Sequence, residues 1–265
     1  MLWRDYFHFC LLLACIGCPV SDAGASLLLH YPVSTGTGDT LFDNSGFNRD
    51  ASLEGASWTT DRFGNEGAAL QTGKNAWANP PDAPLKPVEM TVAAWIYTDS
   101  AGSSPSPIWS AEKGQGASGF HSRLQITPDG KLRFEAVAPH GSSGYRSTTS
   151  SEALALETWH HVAGTYDGTT TRIFLDGVSI ASDNHGSYQG LNTDGTIPVG
   201  LGHLENWSVQ WFSGKIDDVY LYDMALEESA IASLAAIPEA SHATWLFALT
   251  IFWLFRFRRG AKIQT

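Results

Sequence analysis

The chain of 265 residues carries 27 Asp and Glu against 16 Lys and Arg, a formal charge of −11 at pH 7. No basic stripe interrupts that acidity, which excludes nucleic acid as a partner class. All three cysteines (Cys10, Cys15, Cys18) lie near the start, so from Ser26 onward thiol nucleophiles, zinc–thiolate sites and iron–sulfur clusters are excluded.

The first 25 residues hold a lone Arg4, an apolar run from Phe7 to Ile16 and a small-x-small step at Ala23-Gly24-Ala25. That is the layout of a secretory signal peptide, and the run is too short for a membrane span. Leu12-Leu13-Ala14-Cys15 also reads as a lipobox, which would make Cys15 an acylated residue.

Residues 26–236 form the expected body, with 24 acidic against 11 basic residues, a formal −13. Short β-rich runs follow one another there: SLLLHYPV (26–33), EMTVAAWIYT (89–98), SRLQIT (122–127), KLRFEAV (131–137), TWHHVAGTYD (158–167), TRIFLDG (171–177) and KIDDVYLYD (215–223). Asp-Gly pairs in TPDGK and LDGV predict hairpins, because glycine accepts the positive φ of a tight turn. This spacing predicts an all-β, antiparallel two-sheet sandwich. The Ser, Gly and Pro-rich stretches 98–108 and 139–152 read as mobile insertions within it. LEESAIASLA (226–235) predicts a closing helix with Glu227 and Glu228 at its positive end.

Residues 237–265 open on Ile237-Pro238-Glu239-Ala240. An apolar stretch of 13 residues, Ala243–Phe255, and Arg256, Arg258, Arg259 and Lys262 follow. As a helix the stretch reaches ~20 Å, short of a ~30 Å hydrocarbon core. Proline–glutamate, short apolar helix and basic cluster together resemble the PEP-CTERM sorting signal of Gram-negative bacteria. That resemblance implies an exosortase-type transpeptidase as partner and cleavage near Pro238. A plain C-terminal anchor in the inner membrane is the other reading, with the basic cluster cytoplasmic and the body outside. Both make this an exported protein of the cell envelope or extracellular space.

Four stretches in order, LFDNSGFNRDASLEGASW (41–58), MTVAAWIY (90–97), TWHHVAGTYDGTTTRIFLDGVSIAS (158–182) and FSGKIDDVYLYDMALEESAI (212–231), resemble a laminin-G-like domain of the concanavalin A-like superfamily. The resemblance implies a jelly roll whose first and last strands lie side by side, often with bound calcium.

The adjacent His160 and His161 point to opposite faces of a strand and cannot share one metal. Trp159, His161, Ala163 and Thr165 share one face, and one histidine is expected in the core with its nitrogens hydrogen-bonded. For calcium, DNSGFNRD (43–50) gathers oxygen donors. Asp43, Ser45 and Asp50, with Asp218 from the last strand, are the candidate ligands, and an Asx-type turn at Asp43 is the rival reading. Asp217 and Asp218 are expected on opposite faces.

For carbohydrate, an extracellular polysaccharide or matrix component is the expected partner. Trp58, Trp77, Trp109, Trp207 and Trp211 fall in loops or strand ends, where aromatic faces stack on sugar rings. Trp77, Trp207 and Trp211 are the candidate contacts, while Trp95 and Trp159 read as core. An enzyme of the same superfamily needs closely placed carboxylates. RFEAV offers only Glu135, and His121 and Ser122 are expected to point apart, so the sequence points to a non-enzymatic binding protein.

Overall fold

Alternating inward and outward side chains let each strand bury one face, and two such faces suffice for a sandwich core. The computed structural model describes residues 24–34, 36–80, 87–112, 120–137, 145–186, 199–204 and 210–237. Most of the leader, nearly all of the tail and Trp207 lie outside them.

Among the described residues the strands are β1 (Leu27–Tyr31), β2 (Thr40–Leu41), β3 (Ala51–Glu54), β4 (Ser57–Thr59), β5 (Ala69–Thr72), β6 (Trp77–Asn79), β7 (Met90–Tyr97) and β8 (Ser106–Glu112). They continue as β9 (Phe120–Ile126), β10 (Lys131–Val137), β11 (Tyr145–Ala153), β12 (Trp159–Tyr166), β13 (Thr170–Leu175), β14 (Val178–Asn184), β15 (Val199–Leu201) and β16 (Gly214–Tyr222). One helix, α1 (Glu228–Ala235), follows. All fall within one unit, Val20–Ala236.

Two antiparallel sheets result, as expected. The first runs β14-β13-β12-β7-β16-β5-β4, with β1 also paired to β16, and the second runs β11-β10-β9-β8-β15-β6-β3-β2. The first and last strands are neighbours, with His30 opposite Tyr220 and Tyr31 opposite Val219. Val92, Ala94, Ile96, Val162 and Ile216 from one sheet meet Leu124, Ile126, Leu132, Phe134 and Leu201 from the other in a single core. At Gly164 the Phe134 ring fills the place of a side chain, since a Cβ there would lie 2.2 Å from it.

Three expectations fail. The stretches read as insertions contribute β8 and the nine-residue β11, whose Ser and Thr side chains suit a strand at the sheet edge. Trp109 sits in the core at 1% exposure, its indole N–H donating to Ser122 Oγ. Trp95 and Trp159 belong to the outward face of the first sheet, because their neighbours Ala94, Ile96 and Val162 take the inward positions.

Candidate carbohydrate-binding face and the acidic loop

The outward face of the second sheet carries Trp77, with Trp211 nearby. β6 turns Ala78 into the core, so Trp77 and Asn79 face out. Leu201 pairs with Ala78 and likewise points inward, which leaves Gly200 on the outward side. The chain then doubles back, and the His203 imidazole lies over Gly200, where a Cβ would come within 2.9 Å of the ring. That ring stacks on Trp77 with centroids 4.5 Å apart and planes 19° from parallel. His203 bridges to Trp211, the Leu204 N–H donates to the Gln210 carbonyl, and Lys74 Nζ stands 5.9 Å from the centre of the Trp211 ring. The fold thus gathers Trp77 and Trp211 around a histidine that the sequence did not single out.

This cluster is short of hydrogen bonds. Trp77 Nε1, His203 Nδ1 and Gln210 Oε1 are buried without a partner. Unpaired buried polar atoms are costly, and here three stand in one cluster. Burial lowers the His203 pKa to about 4, so the ring is neutral near pH 7. The three atoms offer an indole donor, an amide acceptor and an imidazole nitrogen, a set suited to uncharged hydroxyls.

From Gly200 a row crosses the sheet through Ser110, Arg123, Glu135 and Ser147. Glu135 accepts a hydrogen bond from Gln125 Nε2 at 3.1 Å and pairs with Arg123 at 3.4 Å and Arg133 at 3.8 Å. Its neighbours in the row are an arginine and a serine, so no second carboxylate stands beside it along this row. His121 and Ser122 do meet, at 3.2 Å, contrary to expectation. Both are fully buried, His121 Nε2 lies 3.1 Å from the Pro87 carbonyl, and Ser122 Oγ already receives the Trp109 indole, so the pair is packing.

The calcium candidates divide in two. Asp43 Oδ1 accepts from the N–H groups of His30 and Ser45 at 3.0 and 2.9 Å. Its Oδ2 accepts from Ser45 Oγ and Arg49 N–H at 2.7 and 3.0 Å. Asp50 Oδ1 accepts from the Asp43 N–H at 2.8 Å. Burial pushes the Asp43 pKa up, but the bonds from Ser45, His30 and Arg49 outweigh it and hold the carboxyl below the usual range. Asp218 bonds through Oδ2 to Arg62 at 2.7 Å, and its Oδ1 lies 3.8 Å from Nε2 of His30, the residue whose N–H donates to Asp43. Four donors point at Asp43, the pattern of an Asx-type turn. Among the described residues no group of three or more His, Cys, Asp or Glu is placed to hold a metal.

Asp217 and Asp218 do not alternate as expected. The register shifts between Asp217 and Tyr220, and Asp218 takes a left-handed φ of 46°, the mark of a bulge. Both carboxylates therefore reach the guanidinium of Arg62, which also lies over Trp95 at 4.7 Å. The two histidines reverse the expected bonding. Buried His161 has no partner at either ring nitrogen, whereas His160 contacts Asp176 Oδ2 at 2.9 Å and the Ala155 carbonyl at 3.2 Å.

Residues 72–232 match the family model described as the concanavalin A-like lectin/glucanases superfamily. The chain belongs to that superfamily. Solved structures similar to this superfamily member show the same fold. The fourth domain of an extracellular arabinanase from Geobacillus stearothermophilus, solved with arabinotriose, matches with a TM-score of 0.62 at 19% identity, over 80% of this chain and 98% of that one. The binding domain of Paraclostridial Mosquitocidal Protein 1 matches at 0.61 and 14% identity, over 79% and 52%. A Trypanosoma rangeli sialidase matches at 0.56 and 17%, over 79% of this chain and 33% of the enzyme. No curated protein matches the chain.

Proposed function

We propose that this is an exported, non-enzymatic carbohydrate-binding protein that contacts an extracellular polysaccharide through the outward face of its second sheet. One observation carries the reading: Trp77 and His203 stack beside Trp211 while three buried polar atoms around them lack partners. An aromatic platform with unsatisfied donors and acceptors matches the alternation of apolar and hydroxyl surface on a sugar ring. The superfamily membership and the arabinotriose bound by a similar domain support the ligand class. The signal-peptide layout and the sorting-signal-like tail supply the rest: export, handling by an exosortase-type enzyme and a hold on the inner membrane.

A glycan array followed by titration of the best binder tests the reading. Trp77→Ala is expected to weaken binding at least tenfold, about 1.4 kcal/mol, with the fold intact by circular dichroism. A blank array would point to a protein ligand. Hydrolysis of the bound glycan, abolished by Glu135→Gln, would point to a carbohydrate-active enzyme.

A further inference from the structure

The first sheet has an aromatic surface of its own, pointing away from Trp77. Trp159 in β12 lies opposite Tyr97 in β7, and Tyr97 lies opposite Lys215 in β16. Ile96 and Ile216, next in line, are buried in the core, so this row of three faces outward. The two rings are 5.9 Å apart and inclined at 53°, and both are only half-buried. Lys215 Nζ stands 5.5 Å from the Tyr97 ring centre and donates to the Thr60 carbonyl at 3.3 Å. The turn before β12 leaves Leu156 44% exposed, and the Glu157 N–H bonds to the Thr98 carbonyl at 2.8 Å, fixing this turn beside the end of β7.

Size decides what such a surface fits. Three adjacent strands set the row about 10 Å across. Two aromatic side chains offer at most ~500 Å² between them, below the ~800 Å² that each partner of a stable protein interface buries. A slim ligand is therefore favoured over a protein. Strand twist turns successive rings relative to one another, so two sugar units of a twisted chain meet one ring each, with the Lys215 ammonium donating to hydroxyls at the end.

We propose that Tyr97, Trp159 and Lys215 form a second glycan platform, which makes the domain bivalent and able to cross-link a polymer. The proposal rests on the carbohydrate reading of the protein. The platforms occupy outward faces of opposite sheets about 10 Å apart, so one stretch of glycan cannot touch both. Two occupied sites on one long chain, or on two chains, raise apparent affinity by avidity.

The test is gel retardation of the full chain in gels cast with arabinan, xylan, dextran, pectin or alginate, with Trp77→Ala, Trp159→Ala, Tyr97→Ser and Trp159→Phe compared. On the gel that retards the parent protein most, Trp159→Ala and Tyr97→Ser are each expected to lose tenfold or more in apparent affinity. Trp159→Phe is expected to keep most of it, and turbidity of protein–polymer mixtures should fall with either loss. Because Tyr97→Ser removes a different ring, an unfolded Trp159→Ala leaves the answer intact. Unchanged retardation in both variants overturns the second platform. Unchanged retardation in Trp77→Ala, with loss in Trp159→Ala, overturns the first instead. A parent protein retarded by none of the five overturns both.

Discussion

His161 is fully buried, edge-on to Trp95 at 5.6 Å, with both ring nitrogens unpaired. Burial lowers its pKa to about 4, against an ordinary 6.5, while Asp176 and Asp218 pull it up and Arg62 pulls it down. Above pH 6.5 the ring is neutral whether folded or unfolded. Between 6.5 and 4 the unfolded chain takes up a proton that the folded chain refuses, so stability falls with pH. Urea melts should show a loss of about 2.4 kcal/mol between pH 7 and 4.5 from this residue, and His161→Phe should remove that part of the slope. His160 works in the opposite sense. Its bond to Asp176 outweighs burial and raises its pKa, so its contribution is complete below pH 6.5 and fades as pH climbs through the raised value. The sequence placed the two histidines on opposite faces correctly. It could not say which would be satisfied, because Asp176 and Ala155 reach His160 only after the neighbouring turns have folded.

At the scale of the element, the acidic loop after β2 is held by Asp43, whose carboxylate takes four donors. A loop tied this way is held by its own donors. Thermal melts in EDTA and in millimolar calcium should therefore coincide, whereas a rise with calcium would mean that the ion displaces the Ser45 and Arg49 donors. The strands with clear apolar alternation were legible in the sequence. β8 and β11 were not, because serine, threonine and proline signal a loop locally and become strand residues only when neighbours supply the ladder. The bulge in β16 was hidden for a related reason. Strict alternation puts Asp217 and Asp218 on opposite faces, and only the extra residue turns both toward Arg62.

For the molecule as a whole, the sandwich holds together where the sheets interlock. Phe134 of the second sheet occupies the space left by the missing side chain of Gly164 in the first. Gly164→Ala should destabilise the fold by about 3 kcal/mol, measured by denaturant melts with unchanged m, because neither strand can retreat from a packed core. Trp77 and Trp211 were legible as candidate ligand contacts. Their assembly was not, since residues 77, 203 and 211 are joined only by the pairing of β6 with β15 and the return of the chain over Gly200.

The pairing of Tyr31 with Val219 has a temporal consequence. A ribosome adding roughly 5–20 residues per second needs on the order of ten to forty seconds to travel between them. Throughout that interval the earliest strand has no companion, and β7 lacks the neighbour that later separates it from β1. The first sheet can close around β16 only when that final segment arrives.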